Sequence, residues 1–148
     1  MLQTVHTGGL LHNFGLLCLA DIIPRETQQA LIRAQNNPEI SVNAALSELL
    51  GTDFREMGAW LVETWGLPQA LIALMKHYAD PDYRDLHWQE ARLVGYAAEL
   101  VDLIYRQEPL PETLVLKELS LTAMDFADVF DQLKSALPEV TENAKALF

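Results

Sequence analysis

The 148-residue chain is long enough for one domain with a hydrophobic core and too short for two of ordinary size. Half of its residues are hydrophobic and 21% are charged, a globular composition rather than a disordered or fibrous one. The formal charge is −11, and the ten basic residues are scattered from Arg25 to Lys145, so the Lys/Arg stripe that a nucleic-acid backbone requires is missing.

Helical punctuation runs along the whole chain, and no segment reads as a strand. Residues 4–22 are expected to form one mostly apolar helix ending at "IIP". Pro24 suits the first position of the next helix, "PRETQQALIRAQNN", which stops at Asn36-Asn37-Pro38. Ser41 is placed to cap a short helix that Gly51 closes. Thr52 is expected to cap "DFREMGAWLVETW", in which Phe54, Met57, Gly58, Leu61 and Trp65 recur at helical spacing and predict a buried stripe. Gly58 weakens that helix by about 1 kcal/mol, which points to close approach of a neighbouring helix as compensation. Gly66 and Pro68 separate it from "PQALIALMKHYA", and "DPDYRD" is a turn. The longest helix is expected over about residues 86–106, with Leu93, Ala97, Leu100 and Ile104 on one face, until "EPLPE" breaks it. "LTAMDFADVFDQLKSAL" reads as a further amphipathic helix through Phe126, Val129, Phe130, Leu133 and Leu137, with Pro138 opening a short final one. The expected architecture is a single all-α domain over residues 1–148, a compact bundle of about seven or eight helices with short connections.

Cys18 is the only cysteine, which rules out an intrachain disulfide and fits a small buried hydrophobe in a reduced compartment. No basic segment precedes the first apolar stretch, and His12-Asn13 interrupts it, so neither a signal peptide nor a membrane span is expected. The expected setting is the cytoplasm, without membrane or nucleic-acid partners.

Three segments together carry a resemblance: "GGLLHNFGLLCLADIIP" (8–24), "ELLGTDFREMGAWLVETWGLP" (48–68) and "ALMKHYADP" (73–81). In that order they resemble the HDOD domain, a bacterial signalling relative of the HD phosphohydrolase superfamily. The middle segment is the most specific, with Glu48, Gly51, Gly58, Ala59, Leu61, Trp65, Leu67 and Pro68 in place. The resemblance extends over about residues 8–108 and is to the C-terminal part of the module, as in a fragment or a short stand-alone form.

The resemblance implies an HD-like fold and also locates the positions where HD enzymes carry metal ligands. Those positions read His12, Asn13, Phe54, His77, Tyr78 and Ala98, with Glu99 displaced by one from the last. A hydrolytic centre needs several imidazoles and carboxylates converging on a cation. Asn13 offers a neutral carbonyl in place of a carboxylate, and Phe54 and Ala98 offer no donor. No catalytic, metal or cofactor residue is therefore expected. His12 is expected to be held by a hydrogen bond to a carbonyl or neighbouring side chain. His77 is expected to lie partly exposed near a helix end, where the dipole favours the cation. A residual ligand set would have to combine His12 and His77 with Asp53 or Asp80.

Trp60 and Trp65 are five residues apart, about 140° around a helix, and cannot share one cage wall. Trp65 is expected in the core and Trp60 on a contact surface. Glu108, Glu112 and Glu118 read as a solvated acidic face. The function expected from the resemblance is a non-catalytic bacterial signal-transduction module, regulatory or scaffolding, that contacts signalling proteins. The apolar face of residues 4–20 is expected to be covered either in a rearranged compact bundle or, slightly favoured, by self-association into a homo-oligomer. The competing readings are a degenerate metal-dependent phosphohydrolase and a nucleotide sensor that uses the vestigial pocket.

Overall fold

In a computed structural model, which describes residues 1–111 and 119–145, the chain is all-α, with no β-strand among the described residues. Eight helices follow in order among these residues: α1 (Leu2–Leu11), α2 (Phe14–Ile22), α3 (Pro24–Asn36), α4 (Val42–Leu50), α5 (Phe54–Thr64), α6 (Gln69–His77), α7 (Trp88–Arg106) and α8 (Ala123–Lys145). They fall into two compact units, Met1–Gly95 and Tyr96–Phe148, and the division lies within α7. Glu112 and Glu118 of the expected acidic face lie outside the described residues, and Glu108 is exposed.

The first unit is built on α5, which packs against both α2 and α6, with α3 paired to α4 and to α2, and α1 against α6. Its core contains Leu19, Leu46, Val62, Leu74 and Met75, each at most 1% exposed, and each such side chain stabilises the fold by about 1.5–3 kcal/mol relative to exposure. Glycines set the closest approaches. A Cβ built on Gly15 of α2 would overlap the Phe54 carbonyl oxygen and lie 2.6 Å from the Gly58 nitrogen, so the α2 and α5 main chains cross in direct contact. Gly58 is the residue whose poor propensity called for a close neighbour, and Met75 and Gly15 supply it. Gly95 of α7 lies similarly against the Tyr78 carbonyl.

The second unit holds a smaller core of Leu100, Phe126 and Phe130, flanked by Tyr96, Leu103, Ile104 and Leu133. Thr122 and Asp125 cap α8 reciprocally. The Asp125 carboxylate accepts from the Thr122 amide at 2.8 Å and from its hydroxyl at 2.7 Å, and the Thr122 hydroxyl accepts from the Asp125 amide at 3.3 Å. Ala97 and Val129, both expected to face a core, are exposed.

Several boundaries differ from expectation for identifiable reasons. The expected single helix over 4–22 is two helices. The His12 ring bonds the Gly9 carbonyl, the group that the Asn13 amide would otherwise use four residues along, and Asn13 leaves the helical region at φ −98°, ψ 4°. Asp53 rather than Thr52 caps α5, because its carboxylate accepts from two amides of the first turn whereas the Thr52 hydroxyl donates to Glu56. α7 starts at Trp88 because His87 sits at φ 68°. α8 runs through Pro138 and is the longest helix, at 23 residues. Pro138 is exposed, so water can reach the carbonyl that its missing N–H leaves unpaired.

Candidate functional site

Of the positions singled out in the sequence, all but Ala98 lie in the first unit, where His12 meets Tyr78 at the end of α6 and Phe54 starts α5. His12, at the C-cap of α1, is half-buried. Its Nδ1 lies 2.7 Å from the Gly9 carbonyl oxygen, and because that partner can only accept, Nδ1 carries the proton and Nε2 the lone pair of the neutral ring. The ring also meets Tyr78 edge to face, with centroids 5.4 Å apart at 83°. Tyr78 is 6% exposed, and its carbonyl faces Gly95. Phe54 is buried at the first position of α5, with its carbonyl at the Gly15 crossing. Asn13 is exposed and makes no capping hydrogen bond. Ala98 belongs to the second unit and is half-buried there.

Beside Tyr78 an open cleft of about 400 Å³ is lined by Asp53, Arg55, Glu56, Lys76, His77 and Asp80. The two carboxylates weighed as helpers of His77, Asp53 and Asp80, thus lie with it in one cleft, but both are already engaged. Asp53 Oδ1 accepts from the Arg55 and Glu56 amides at 2.8 and 3.0 Å, and Oδ2 accepts from the Arg55 guanidinium at 2.7 and 3.2 Å. Asp80 accepts from the Asp82 amide at 2.9 Å. Burial alone would lower the Arg55 guanidinium, but the hydrogen bonds and charge of Asp53 more than offset this and keep it charged. Among the described residues, no three His, Cys, Asp or Glu side chains are placed to hold a metal ion together. The donor set does not fit a divalent hydrolytic centre: Phe54 is a hydrocarbon, Asn13 points to solvent, and the Asp53 oxygens are saturated by donors.

His77 is half-exposed at the end of α6, as expected, and stacks on Tyr83 with centroids 4.0 Å apart and planes within 4°. The expected preference for the cation is overturned. Burial first, then the Lys76 ammonium, hold the imidazole below its ordinary value; Asp80 opposes this, Arg55 adds to it, and Asp85 opposes it. The His77 ring is therefore expected to titrate below about 6.5. Because the folded value is depressed, its contribution to stability is fully present above the unfolded value and is lost as pH falls through the folded one. An NMR titration of the His77 ring, with Lys76→Gln raising the midpoint, checks this. A midpoint at or above the ordinary value would refute it.

The sequence reading missed Arg55 and Tyr83. Arg55 could have been found two residues after an N-cap carboxylate, a spacing that lets the guanidinium fold back on its partner. Tyr83 lies in a turn whose local hydrogen bonds bring it onto His77, including its own hydroxyl to the Leu86 carbonyl at 2.8 Å. Neither tryptophan is in the core. Trp60 is 56% exposed, and Trp65, expected to be buried, is 51% exposed. α5 ends at Thr64, so Trp65 lies just past the helix and rests edge-on against Phe14 of α2, at 5.4 Å. The buried face of α5 turns instead toward Ala59 and Val62, roughly 70° from the predicted stripe. Cys18 is half-buried.

A family model of the HDOD domain matches residues 2–81. Among curated proteins no sequence matches the chain. Among solved structures, the crystal structure of a "Putative signal transduction protein" from Marinobacter aquaeolei VT8 is similar at 26% identity, with a TM-score of 0.85. The match covers 98% of this chain and 33% of that one, so this chain spans about a third of the length of that relative.

Proposed function

From the premise that this chain belongs to the HDOD domain family, we propose that it is a non-catalytic signal-transduction module that works through protein–protein contact. A signalling role is supported by the family and by the description of the structural relative. The observation that carries the non-catalytic reading is the state of the former ligand positions. Asn13 offers only a neutral carbonyl and is exposed, Phe54 is a core hydrocarbon, and the neighbouring Asp53 serves the α5 amides and Arg55. His12 retains its Nε2 lone pair, but among the described residues no group of three ligands includes it. His12 and Tyr78 join the end of α1 to the end of α6 and Asp53 fixes the start of α5, and Asp53 could ligate a metal only by giving up its donors. The contact function is supported by apolar side chains left in water on α1, α2 and at the end of α5.

The test is metal analysis of protein purified with Mn, Fe, Ni and Zn supplied, together with assays on generic phosphodiesters. The expected results are well under 0.1 equivalent of metal per chain and no hydrolysis. About one equivalent with turnover would sink the proposal and restore the phosphohydrolase reading. A second reading, nucleotide sensing, draws on the cleft, where Lys76 lies beside the stacked His77 and Tyr83 rings, with Asp53, Glu56 and Asp80 also in its lining. A thermal-shift screen tests it, since ligand at 100 times its Kd stabilises by about 2.7 kcal/mol.

A further inference from the structure

The chain has three tryptophans, and two of them are met by another side chain. The Arg84 guanidinium lies over the Trp88 ring, 5.2 Å from its centroid, and Trp65 rests against Phe14. Among the described residues no ring and no cation meets Trp60, which is 56% exposed. Trp60 stands in the middle of the outward face of α5. Gly58, Ala59 and Val62 are buried, whereas Glu56, Trp60, Glu63 and Thr64 fall at i, i+4, i+7 and i+8 and are all exposed. Trp60 thus has one carboxylate a turn before it and another a turn after it. The Glu56 carboxylate accepts from the Thr52 hydroxyl at 2.9 Å, and neither it nor Glu63 forms an ion pair among the described residues. Arg55, the only basic residue between Arg33 and Lys76, is committed to Asp53.

We propose that this face docks a segment of a partner protein that carries arginine or lysine, a reading that rests on the contact function above and names its partner's chemistry. One cation of the segment lies on the Trp60 ring, with the Glu56 and Glu63 carboxylates on either side. Charge selects this occupant. A second copy would set Glu56 and Glu63 against their own counterparts, and a nucleic acid or an anionic membrane would meet a chain of charge −11. An apolar segment would strip water from both carboxylates and return nothing to them. A cationic segment answers the ring and both charges together, and Arg84 over Trp88 is the same pairing made inside this chain. Spacing sets its form. Glu56 and Glu63 are about 10 Å apart along the helix axis. That is roughly the length of three residues of extended chain, so cations three positions apart in an extended segment match both.

The probe is a synthetic nine-residue peptide with Arg at every third position and Ala between. It is titrated into the isotope-labelled full chain while the backbone amides of α5 and the indole N–H signals are followed by NMR. The Trp60 indole and its flanking amides are expected to shift with a Kd on the order of 100 μM. Raising NaCl from 50 to 500 mM should weaken binding about tenfold. Trp60→Ala should weaken it about fivefold, and the pair Glu56→Gln with Glu63→Gln about threefold, all at exposed positions and with unchanged far-UV circular dichroism. Glu139→Gln with Glu142→Gln removes the same charge from two exposed residues of α8 and should leave the affinity unchanged. The peptide with Gln in place of Arg should not bind. A Trp60 signal that stays in place, full affinity in both α5 variants, an equal loss in the α8 variant, or equal binding of the Gln peptide would each overturn the proposal. None of these results bears on the metal and hydrolysis test, which decides the non-catalytic reading separately.

Discussion

Gly15→Ala is expected to destabilise the protein by about 2–3 kcal/mol, although alanine is the better helix former by about 1 kcal/mol. The added methyl has nowhere to go. It would overlap the Phe54 carbonyl oxygen and stand 2.6 Å from the Gly58 nitrogen, and both are main-chain atoms of a packed helix. No rotamer change relieves such a clash, so α2 and α5 must move apart along a seam that also carries Leu19 and Val62. Overpacking of this kind ordinarily costs 1–3 kcal/mol, more where the obstacle is rigid. At about 3 °C per kcal/mol for a chain of this size, the melting temperature should fall by roughly 6–9 °C. Gly9→Ala, which adds the same methyl where nothing lies within 4 Å, is the control and should be neutral or slightly stabilising. If Gly15→Ala melted with the control, the main-chain crossing would not be as close as described.

Leu74→Ala is expected to cost about 3 kcal/mol, the middle of the range for removing a fully buried leucine. The sharper expectation concerns its neighbour. A Cβ on Gly8 of α1 would overlap one Leu74 methyl and lie 2.6 Å from the other, so Gly8→Ala alone should destabilise by about 1 kcal/mol after its gain in helix propensity. In the Leu74→Ala background the obstacle is gone and a cavity stands in its place, so the same substitution should stabilise by about 1 kcal/mol. The sign therefore reverses, giving a coupling of about 2 kcal/mol in a double-mutant cycle. Denaturant melts of the four proteins measure it. Additive effects would show that α1 does not rest on Leu74.

These effects depend on contacts that the sequence indicated only in part. Gly58 was legible as a close approach because glycine in the middle of a helical pattern needs a reason, but the pattern could not say which helix approached or that Gly15 was its counterpart. The all-α architecture and most helix ends were legible for a similar local reason: Pro24, Ser41 and Gly51 act on their own turns whatever surrounds them. The failures lie where tertiary geometry decides. Periodicity placed Trp65 in the stripe with Phe54, yet the helix stops one residue earlier and the ring turns to Phe14. His12 and Asn13 are each acceptable in a helix, and the break appears only because the imidazole takes the Gly9 carbonyl. Pro138 reads as a boundary everywhere except on a face that water can reach. At the candidate site the lost ligands were legible residue by residue, since Phe54 cannot ligate in any fold. The engagement of Asp53 was not, because it depends on which amides the carboxylate meets.

The main-chain crossing of α2 and α5 also governs the order in which the chain can assemble. Gly15 and Gly58 are some forty residues apart, with all of α3 and α4 between them, so bringing them together closes a long loop. The α5–α6 pair, by contrast, is joined by a four-residue link and can form early at little entropic cost. A contact between two main chains needs both helices straight and aligned, so we expect it to form after the folding barrier. Damage at Gly15 would then show less in how fast the chain folds than in how soon the folded chain comes apart.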